Sequence, residues 1–237
     1  MPPIQAKRTI AIGDIHGCSR ALDTLLDWIE PTADDCVVAL GDYVDKGPDT
    51  AGAIERLIQL GGQCQLVSLL GNHDQLMLDA IAGRADLAAW VNDQGGRATL
   101  SSYAARFGGD SPASALSPEQ AAALVPSAHQ EFLRNCTLRF ESHTHFFVHA
   151  SYDARLPLDA QPRELLLDRS LRDFVPARHR SGKTAVVGHT SQKNGQVLDL
   201  GYLICLDTNC AKGGWLTARE FPSGRTWQVD IDGRRRG

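Results

Sequence analysis

Residues that could hold metal ions stand at the ends of several apolar runs in this sequence. The run TIAI is followed by Gly13-Asp14-Ile15-His16-Gly17, which sets a carboxylate and an imidazole two residues apart between glycines. Gly and Asp are common in turns at strand ends, so this motif alone fits a simple turn equally well. The same succession of an apolar run and a polar side chain recurs, however, at Asp42, Asn72, His73, His149 and His189.

The candidate ligands are of the kinds that divalent transition metals accept. Asp, Asn and His offer oxygen and nitrogen atoms suited to manganese, iron or zinc. A closed zinc site takes about four ligands, so six candidates fit two ions that share one carboxylate better. The six are Asp14, His16, Asp42, Asn72, His149 and His189. For any single histidine a hydrogen-bonded core imidazole is the alternative, and we keep that interpretation for His143 and His145.

The elements that must position these side chains follow a repeating pattern. Apolar runs that end in Gly alternate with segments whose apolar residues have helical spacing, at the pitch of about 30 residues typical of a βαβ unit. The runs are residues 8–14, 35–42 and 64–72, and the helical segments are 20–30 and 50–60. Parallel sheets bind ligands at the carboxyl ends of their strands. Asp14, Asp42 and Asn72 are therefore predicted to meet at one edge of a sheet.

The rest of the chain predicts helices first and strands later. Residues 75–135 are helical and rich in Ala, with a loop at 111–120 in which Ser117 caps a new helix. Strands follow at 145–150, 183–189, 196–200, 202–208, 215–220 and 226–231. The expectation is one α/β domain over residues 1–237, a central mixed β-sandwich flanked by helices, with a helical insertion at about 79–135.

Bulk composition argues against several other classes of protein. The 237 residues carry a formal net charge of −4 and 43% hydrophobic side chains, which gives no sign of a nucleic-acid partner. No run approaches the ~18 apolar residues of a membrane span, and no signal-peptide core follows Met1. The six cysteines form no CxxC pair. We therefore expect a cytoplasmic monomer with reduced, buried thiols.

Taken together, the motifs resemble those of a known enzyme family. GDIHGC, GDYVDKG, GNHD, VHA and GHT occur in the order found in the phosphoprotein phosphatase branch of the calcineurin-like metallophosphoesterases. The resemblance includes the bacteriophage lambda phosphatase and bacterial serine/threonine phosphatases. It covers residues 8 to about 220 and is thinnest across 84–135. It implies the calcineurin-like fold and two divalent metal ions, with manganese expected first and iron, zinc or nickel as alternatives.

Matching positions within the motifs assign roles to individual residues. The resemblance implies that one ion is held by Asp14, His16 and Asp42, and the other by Asp42, Asn72, His149 and His189. It also implies that His73 protonates the leaving oxygen and that Asp45 raises the pKa of His73. Lys46 stands where the family has a phosphate-binding arginine. Arg169 resembles the second such arginine, with Arg163 and Arg172 nearby in the sequence.

The resemblance implies hydrolysis of phosphomonoesters, either phosphoserine and phosphothreonine proteins or small phosphoesters. Lys46 and the GNHD motif with Asp74 also occur among diadenosine-tetraphosphatase relatives. Hydrolysis of diadenosine polyphosphates or related nucleotides is therefore the alternative, although those relatives lack the acid that this chain keeps at Asp45. GHTS lacks the second histidine of GHxH, which argues against the nuclease and cyclic-nucleotide branches. A catalytically inactive binding protein conflicts with the complete ligand set.

The insertion is the part of the chain least like the family. We expect residues 92–96 (NDQGG) to cover the strand ends and to bear on substrate choice, not on bond cleavage. An inert helical decoration is the alternative.

Overall fold

The structure is a computed structural model that describes residues 6–108 and 116–237. Within these ranges the strands are β1 (Thr9–Ile12), β2 (Cys36–Ala39), β3 (Gln65–Ser68), β4 (Arg139–Glu141), β5 (His145–Val148), β6 (Thr184–Val187), β7 (Leu198–Asp199), β8 (Leu203–Cys205), β9 (Asp207–Thr208), β10 (Trp215–Phe221) and β11 (Thr226–Val229). The helices are α1 (Ser19–Ile29), α2 (Thr50–Leu60), α3 (Asn72–Ile81), α4 (Leu87–Asp93), α5 (Gly96–Phe107), α6 (Pro118–Leu124), α7 (Ser127–Arg134) and α8 (Arg163–Asp168). The predicted loop at 111–115 lies outside the described residues.

The strands form two mixed sheets, which confirms the α/β fold class predicted from the sequence. The first sheet has the order β11-β10-β1-β2-β3, with β9 beside β10, and the second has the order β4-β5-β6-β8-β7. Strands β1, β2 and β3 are parallel, and Ile12, Ala39 and Ser68 lie side by side at their carboxyl ends. Strands β5 and β6 are likewise parallel. The loops that carry the candidate ligands therefore emerge from matching strand ends.

Alternating side chains along the strands bury both faces of each sheet. Ile10 and Ile12 belong to the cluster that packs the first sheet against α1 and α2, whereas Ala11 belongs to a second cluster between the sheets with Phe147. The outer face of the second sheet packs against Leu166 of α8. This alternation follows from the period of two in a strand. The result is a four-layer arrangement of helices, sheet, sheet and helices.

Residues 202–208, predicted as one strand, form two short strands in different sheets. Strand β8 belongs to the second sheet and β9 to the first. Between them, Leu206 donates its N–H to Val187 O at 2.8 Å, and its side chain is buried between the sheets. Gly13 lies against the carbonyl of Leu206, which leaves no space for a Cβ. The prediction of one strand is wrong because both halves are apolar, so hydrophobic periodicity cannot mark the crossing.

Within the described residues, the stretch at about 79–135 that is predicted to be a helical insertion carries helices α4 to α7, and its being an insertion stays a prediction. The start of α6 is as predicted: Gln120 N donates to Ser117 Oγ at 3.3 Å and Ser117 N donates to Gln120 Oε1 at 2.8 Å, with Pro118 in the first turn. No helix among the described residues is long and apolar enough to cross a membrane. All six thiols are free, and five of them are buried.

Candidate metal centre

Five of the predicted site residues have left-handed backbone conformations. Their φ angles are 43° at His16, 52° at Asp42, 70° at Asp45, 68° at Lys46 and 59° at His189. In the described part of the chain, only two other non-glycine residues, Glu30 and Asn209, have a positive φ. Such conformations cost energy and cluster at functional sites. The loops after β1, β2 and β6 are therefore the part of the fold in which the chain accepts strain.

Two groups of potential ligand atoms meet at Asp42. Atoms of His16, Asp42 and His73 lie within 4.8 Å of one another, and so do atoms of Asp42, His149 and His189. The two carboxylate oxygens of Asp42 divide between the groups. Oδ2 lies 3.4 Å from His16 Nε2, and Oδ1 lies 3.4 Å from His149 Nε2. This is the arrangement that a carboxylate bridging two ions requires.

Asn72 and two backbone carbonyls complete the geometry of the histidines. Asn72 Oδ1 lies 3.1 Å from His149 Nε2 and 3.0 Å from His189 Nδ1. His16 Nδ1 contacts Val44 O at 2.7 Å, and His149 Nδ1 contacts Leu40 O at 2.8 Å. Each of these rings therefore donates through Nδ1 and presents Nε2 as a lone pair toward Asp42. Such a carbonyl contact fixes the ring orientation of a metal-binding histidine.

The protonation states of these groups also suit divalent cations. Burial lowers the pKa of His16 to about 3 and that of His189 to about 4, so both rings are neutral ligands at physiological pH. Burial and the neighbouring carboxylates of Asp207 and Asp42 raise the pKa of Asp14. Three acids thus share a buried site in which their negative charges repel. Divalent cations would offset that repulsion, and the oxygen and nitrogen donors fit manganese, iron or zinc.

Asp14 lies beside the two ligand groups, and its role as a metal ligand stays a prediction. Neither three-residue group contains Asp14, and its carboxylate oxygens instead accept the backbone N–H of His189 at 3.1 and 3.0 Å. Gly188 packs against the same carboxylate. In the group with His16 and Asp42, the third member is a ring nitrogen of His73. Asp14 therefore joins the loop after β1 to the loop after β6, beside the ligand groups.

His73 and Asp45 form the predicted pair. His73 Nδ1 donates to Asp45 Oδ2 at 2.7 Å. Burial alone would lower the pKa of His73, but the hydrogen bond to Asp45 and the negative charge of Asp42 outweigh burial and raise it. A histidine with a raised pKa keeps its proton to higher pH, which suits a general acid.

Two residues of the insertion form hydrogen bonds with Asp45, and neither was predicted from the sequence. Trp90 Nε1 lies 3.1 Å from both oxygens of Asp45, and Thr99 Oγ1 donates to Asp45 Oδ1 at 2.9 Å. Lys46 N donates to Gly95 O at 3.4 Å. Helices α4 and α5 thus also contact the carboxylate that orients His73, and the role of residues 92–96 in substrate choice stays a prediction. In the sequence, a Trp that binds a carboxylate looks the same as a Trp that only packs in the core, because both occur at helical spacing.

Asp74 fastens two of the ligand loops together. Its carboxylate accepts the backbone N–H groups of Gly71 at 2.9 Å, Asp42 at 2.8 Å and Tyr43 at 2.9 Å. Its side chain is fully buried. The GNHD motif contained the signal, because an acid at the third position of a helix bonds to N–H groups that precede it. Asp74 thereby sets the position of Asp42 relative to α3.

A cavity of about 180 Å³ adjoins the group of His16, and most of the charged side chains that line it are basic. It is lined by His16, Lys46, Arg172, Lys193, Asp207 and Lys212, among others. Lys46 Nζ lies 2.9 Å from His16 Nε2, and its role in phosphate binding stays a prediction. Arg169 lines a different cavity. Arg172, Lys193 and Lys212 were not predicted as site residues, although Lys193 and Lys212 closely follow the GHT and LDTN stretches.

Comparison with known proteins agrees with this geometry. The family model described as calcineurin-like phosphoesterase matches residues 7–214. The chain belongs to this family. A symmetrical bis(5'-nucleosyl)-tetraphosphatase of Nitrosomonas europaea is 43% identical to this chain over 76 residues. These residues are 32% of this chain and 28% of the relative. The corresponding protein of Burkholderia pseudomallei is 36% identical over 74 residues, 31% of this chain and 26% of the relative. The matched region thus spans little more than a quarter of these curated relatives.

Solved structures extend the likeness to nearly the whole fold. The crystal structure of a "putative diadenosine tetraphosphatase" has a TM-score of 0.70 at 26% identity, over 97% of this chain and 95% of that one. The cold-active protein-tyrosine phosphatase of a Shewanella species has a TM-score of 0.61 at 19% identity, over 98% and 80% of the two chains. The second likeness shows the fold alone. Likeness to the bacteriophage lambda phosphatase in particular stays a prediction.

Proposed function

We propose that this phosphoesterase hydrolyses dinucleoside polyphosphates, the alternative that the sequence left open, with diadenosine tetraphosphate as the model substrate. The observation that carries the proposal is the cavity beside His16, into which Lys46, Arg172, Lys193 and Lys212 bring four positive charges. A polyphosphate chain presents several anionic groups in a row, whereas a phosphomonoester presents one. The tetraphosphatase relatives support the same choice.

The residues divide the work as follows. Two divalent ions would be held by Asp14, His16, Asp42, Asn72, His149 and His189. When bound, the ions act as Lewis acids that activate water and neutralise charge on the phosphoryl group.

The lysine and arginine side chains that line the cavity bind the phosphate groups that are not attacked. Lys46, next to His16, grips the group nearest the reacting phosphorus. Water adds to phosphorus, the P–O–P bond breaks, and two nucleotides leave. Manganese as the native metal, a cytoplasmic location and a monomeric state stay predictions.

Hydrolysis of phosphomonoesters, including phosphoserine and phosphothreonine proteins, is the second candidate. The observation in its favour is the hydrogen bond of 2.7 Å between His73 and Asp45. An alkoxide is a poor leaving group and needs a proton in the transition state. A phosphate leaving group, with a second pKa of about 6, needs one far less. A proton donor oriented by a carboxylate, as His73 is by Asp45, is therefore expected in an enzyme that also cleaves alkyl phosphate esters.

Steady-state kinetics of the Mn²⁺-loaded protein separate the two candidates. We expect kcat/KM for diadenosine tetraphosphate to exceed that for a phosphoserine peptide and for p-nitrophenyl phosphate. Replacing Lys193 and Lys212 together by alanine should lower kcat/KM for the dinucleotide by roughly 10- to 100-fold, the effect of a lost charged hydrogen bond. The monoester should be much less affected, because its single phosphate sits at the metals.

Lys183→Ala is the matched control, because Lys183 pairs with Glu141 at 2.9 Å outside the cavity lining. A higher kcat/KM for the phosphopeptide, or equal losses on both substrates in the double variant, would move the second candidate ahead.

A further inference from the structure

A second cavity is lined by residues that lie close in the sequence to His149 of the other ligand group, and its lining is more apolar than that of the first cavity. It has a volume of about 450 Å³ and lies between residues 151–155 and residues 165–177. Both segments lead directly to the metal centre. Ser151 is two residues beyond His149, and Asp168, whose backbone hydrogen-bonds the ring of His189, precedes the lining residue Arg169. The cavity therefore lies along two segments that also contact or carry ligands of the metal centre.

The lining of the cavity suits a flat, partly apolar group. Phe174 is 57% exposed, the largest exposed fraction among the large hydrophobic side chains of the described residues. Leu165, Pro176 and Ala177 continue the apolar wall. Aromatic side chains that present a face to solvent bind nucleobases by stacking, and guanidinium groups such as that of Arg169 add to this. Its volume falls within the ~300–1,000 Å³ range of small-molecule sites.

One polar group in the wall lacks a partner. Ser151 is 1% exposed, and its hydroxyl has no hydrogen bond within the described structure. Buried hydroxyl groups are nearly always paired, so this one is free to bond to a group that the described chain does not supply. Nucleosides carry several donors and acceptors around an apolar ring, and therefore match both the apolar wall and the unpaired hydroxyl.

We infer that this cavity is a nucleoside subsite, with Phe174 stacking on the base and Arg169 beside the adjoining phosphate. The inference rests on the proposed function and extends it, because it names the group that distinguishes a nucleotide from other polyphosphates. The phosphate chain lies across the metals toward Lys46, and one nucleoside fills the cavity of Phe174. The predicted phosphate contact of Arg169 is then made from the nucleoside side of the centre.

Calorimetric titration of the Mn²⁺-loaded protein with AMP and with ribose 5-phosphate tests this subsite. The two ligands share the sugar and the phosphate, and only AMP has a base. We expect AMP to bind roughly 5- to 100-fold more tightly, the range for stacking on one aromatic side chain. Phe174→Ala should abolish this preference, and Phe174→Trp should keep it. Val175→Ala is the matched control, since Val175 is 43% exposed but does not line the cavity.

Equal binding of the two ligands to the wild-type protein would overturn the subsite, and so would an undiminished preference in Phe174→Ala. Failure of the subsite can be distinguished from failure of the proposed function. A protein that binds AMP through Phe174 but does not cleave diadenosine tetraphosphate would keep the subsite and lose the activity. A protein that cleaves the dinucleotide but binds AMP no better than ribose 5-phosphate would do the reverse.

Discussion

Asp45 and His73 form a buried pair in which His73 Nδ1 donates to Asp45 Oδ2 at 2.7 Å, with Asp45 0% and His73 7% exposed. A carboxylate can only accept, so Asp45 fixes the ring of His73 with Nδ1 protonated. The other ring nitrogen is left for the reaction. Because Trp90 and Thr99 also donate to Asp45, the orientation of His73 depends on the insertion.

Replacing His73 by asparagine should separate proton donation from metal binding. We expect kcat for an alkyl phosphomonoester to fall by roughly 10²–10⁴-fold, the effect of a lost general acid. The loss should be much smaller for diadenosine tetraphosphate and p-nitrophenyl phosphate, whose leaving groups need little help. Metal content by mass spectrometry should be unchanged, and the exposed His143→Asn is the control. Loss of metal from His73→Asn would instead make His73 a ligand.

Trp90→Phe should impair catalysis without emptying the metal centre. The substitution keeps an aromatic ring but removes the N–H that lies 3.1 Å from both oxygens of Asp45. We expect kcat to fall by roughly 2- to 12-fold, the range for one hydrogen bond. The pH–rate profile of kcat should shift, because the carboxylate that orients His73 is less firmly held. Trp28→Phe, beside Arg235, should change neither quantity. An unaltered profile in Trp90→Phe would assign Trp90 to packing alone.

Asp42→Asn should release both ions, because its two carboxylate oxygens serve different ligand groups. We expect metal analysis to find neither ion at stoichiometric occupancy, and added Mn²⁺ to raise the melting temperature much less than in the wild type. Asp207→Asn is the control, since Asp207 is buried near the site but belongs to neither group. Retention of one tightly bound ion in Asp42→Asn would show that Asp42 does not bridge.

The ion pair of Asp35 and Arg8 should make stability depend on acid pH, away from the metal centre. The hydrogen bonds from Arg8, at 2.9 and 2.6 Å, lower the pKa of Asp35 to about 2, against its unfolded value near 3.9. A depressed carboxylate pKa adds stability above the unfolded value, and this is lost as pH falls from about 4 toward 2. We expect about 1–2 kcal/mol at neutral pH after solvent screening.

Urea unfolding of Asp35→Asn and of the wild type between pH 7 and pH 2 measures how much the pair of Asp35 and Arg8 contributes to stability. The difference in unfolding free energy should shrink as pH falls through that window. If the difference in unfolding free energy does not vary with pH, the pair of Asp35 and Arg8 stabilises the fold through its packing and not through its charge.

The sequence by itself determined which residues end the strands and what chemistry they offer. Asp14, Asp42, Asn72, His149 and His189 were found because each follows an apolar run, and parallel strands bring such ends to one edge. The fold class followed from the same runs, since a period of two or of 3.6 residues is a local property of the chain. Asp45 and His73 were paired through their resemblance to a family motif, and the structure brings them within 2.7 Å.

Only the tertiary structure decided which distant side chains share a contact. Trp90 and Thr99 lie 45 and 54 residues from Asp45 in the sequence, and the charged side chain of Lys212 joins Lys46 in one cavity across still more of the chain. No local pattern marks these contacts, because they depend on how helices and sheets pack. The same reason explains the contact of Asp14, whose carboxylate accepts the N–H of His189 in the loop after β6 of the other sheet.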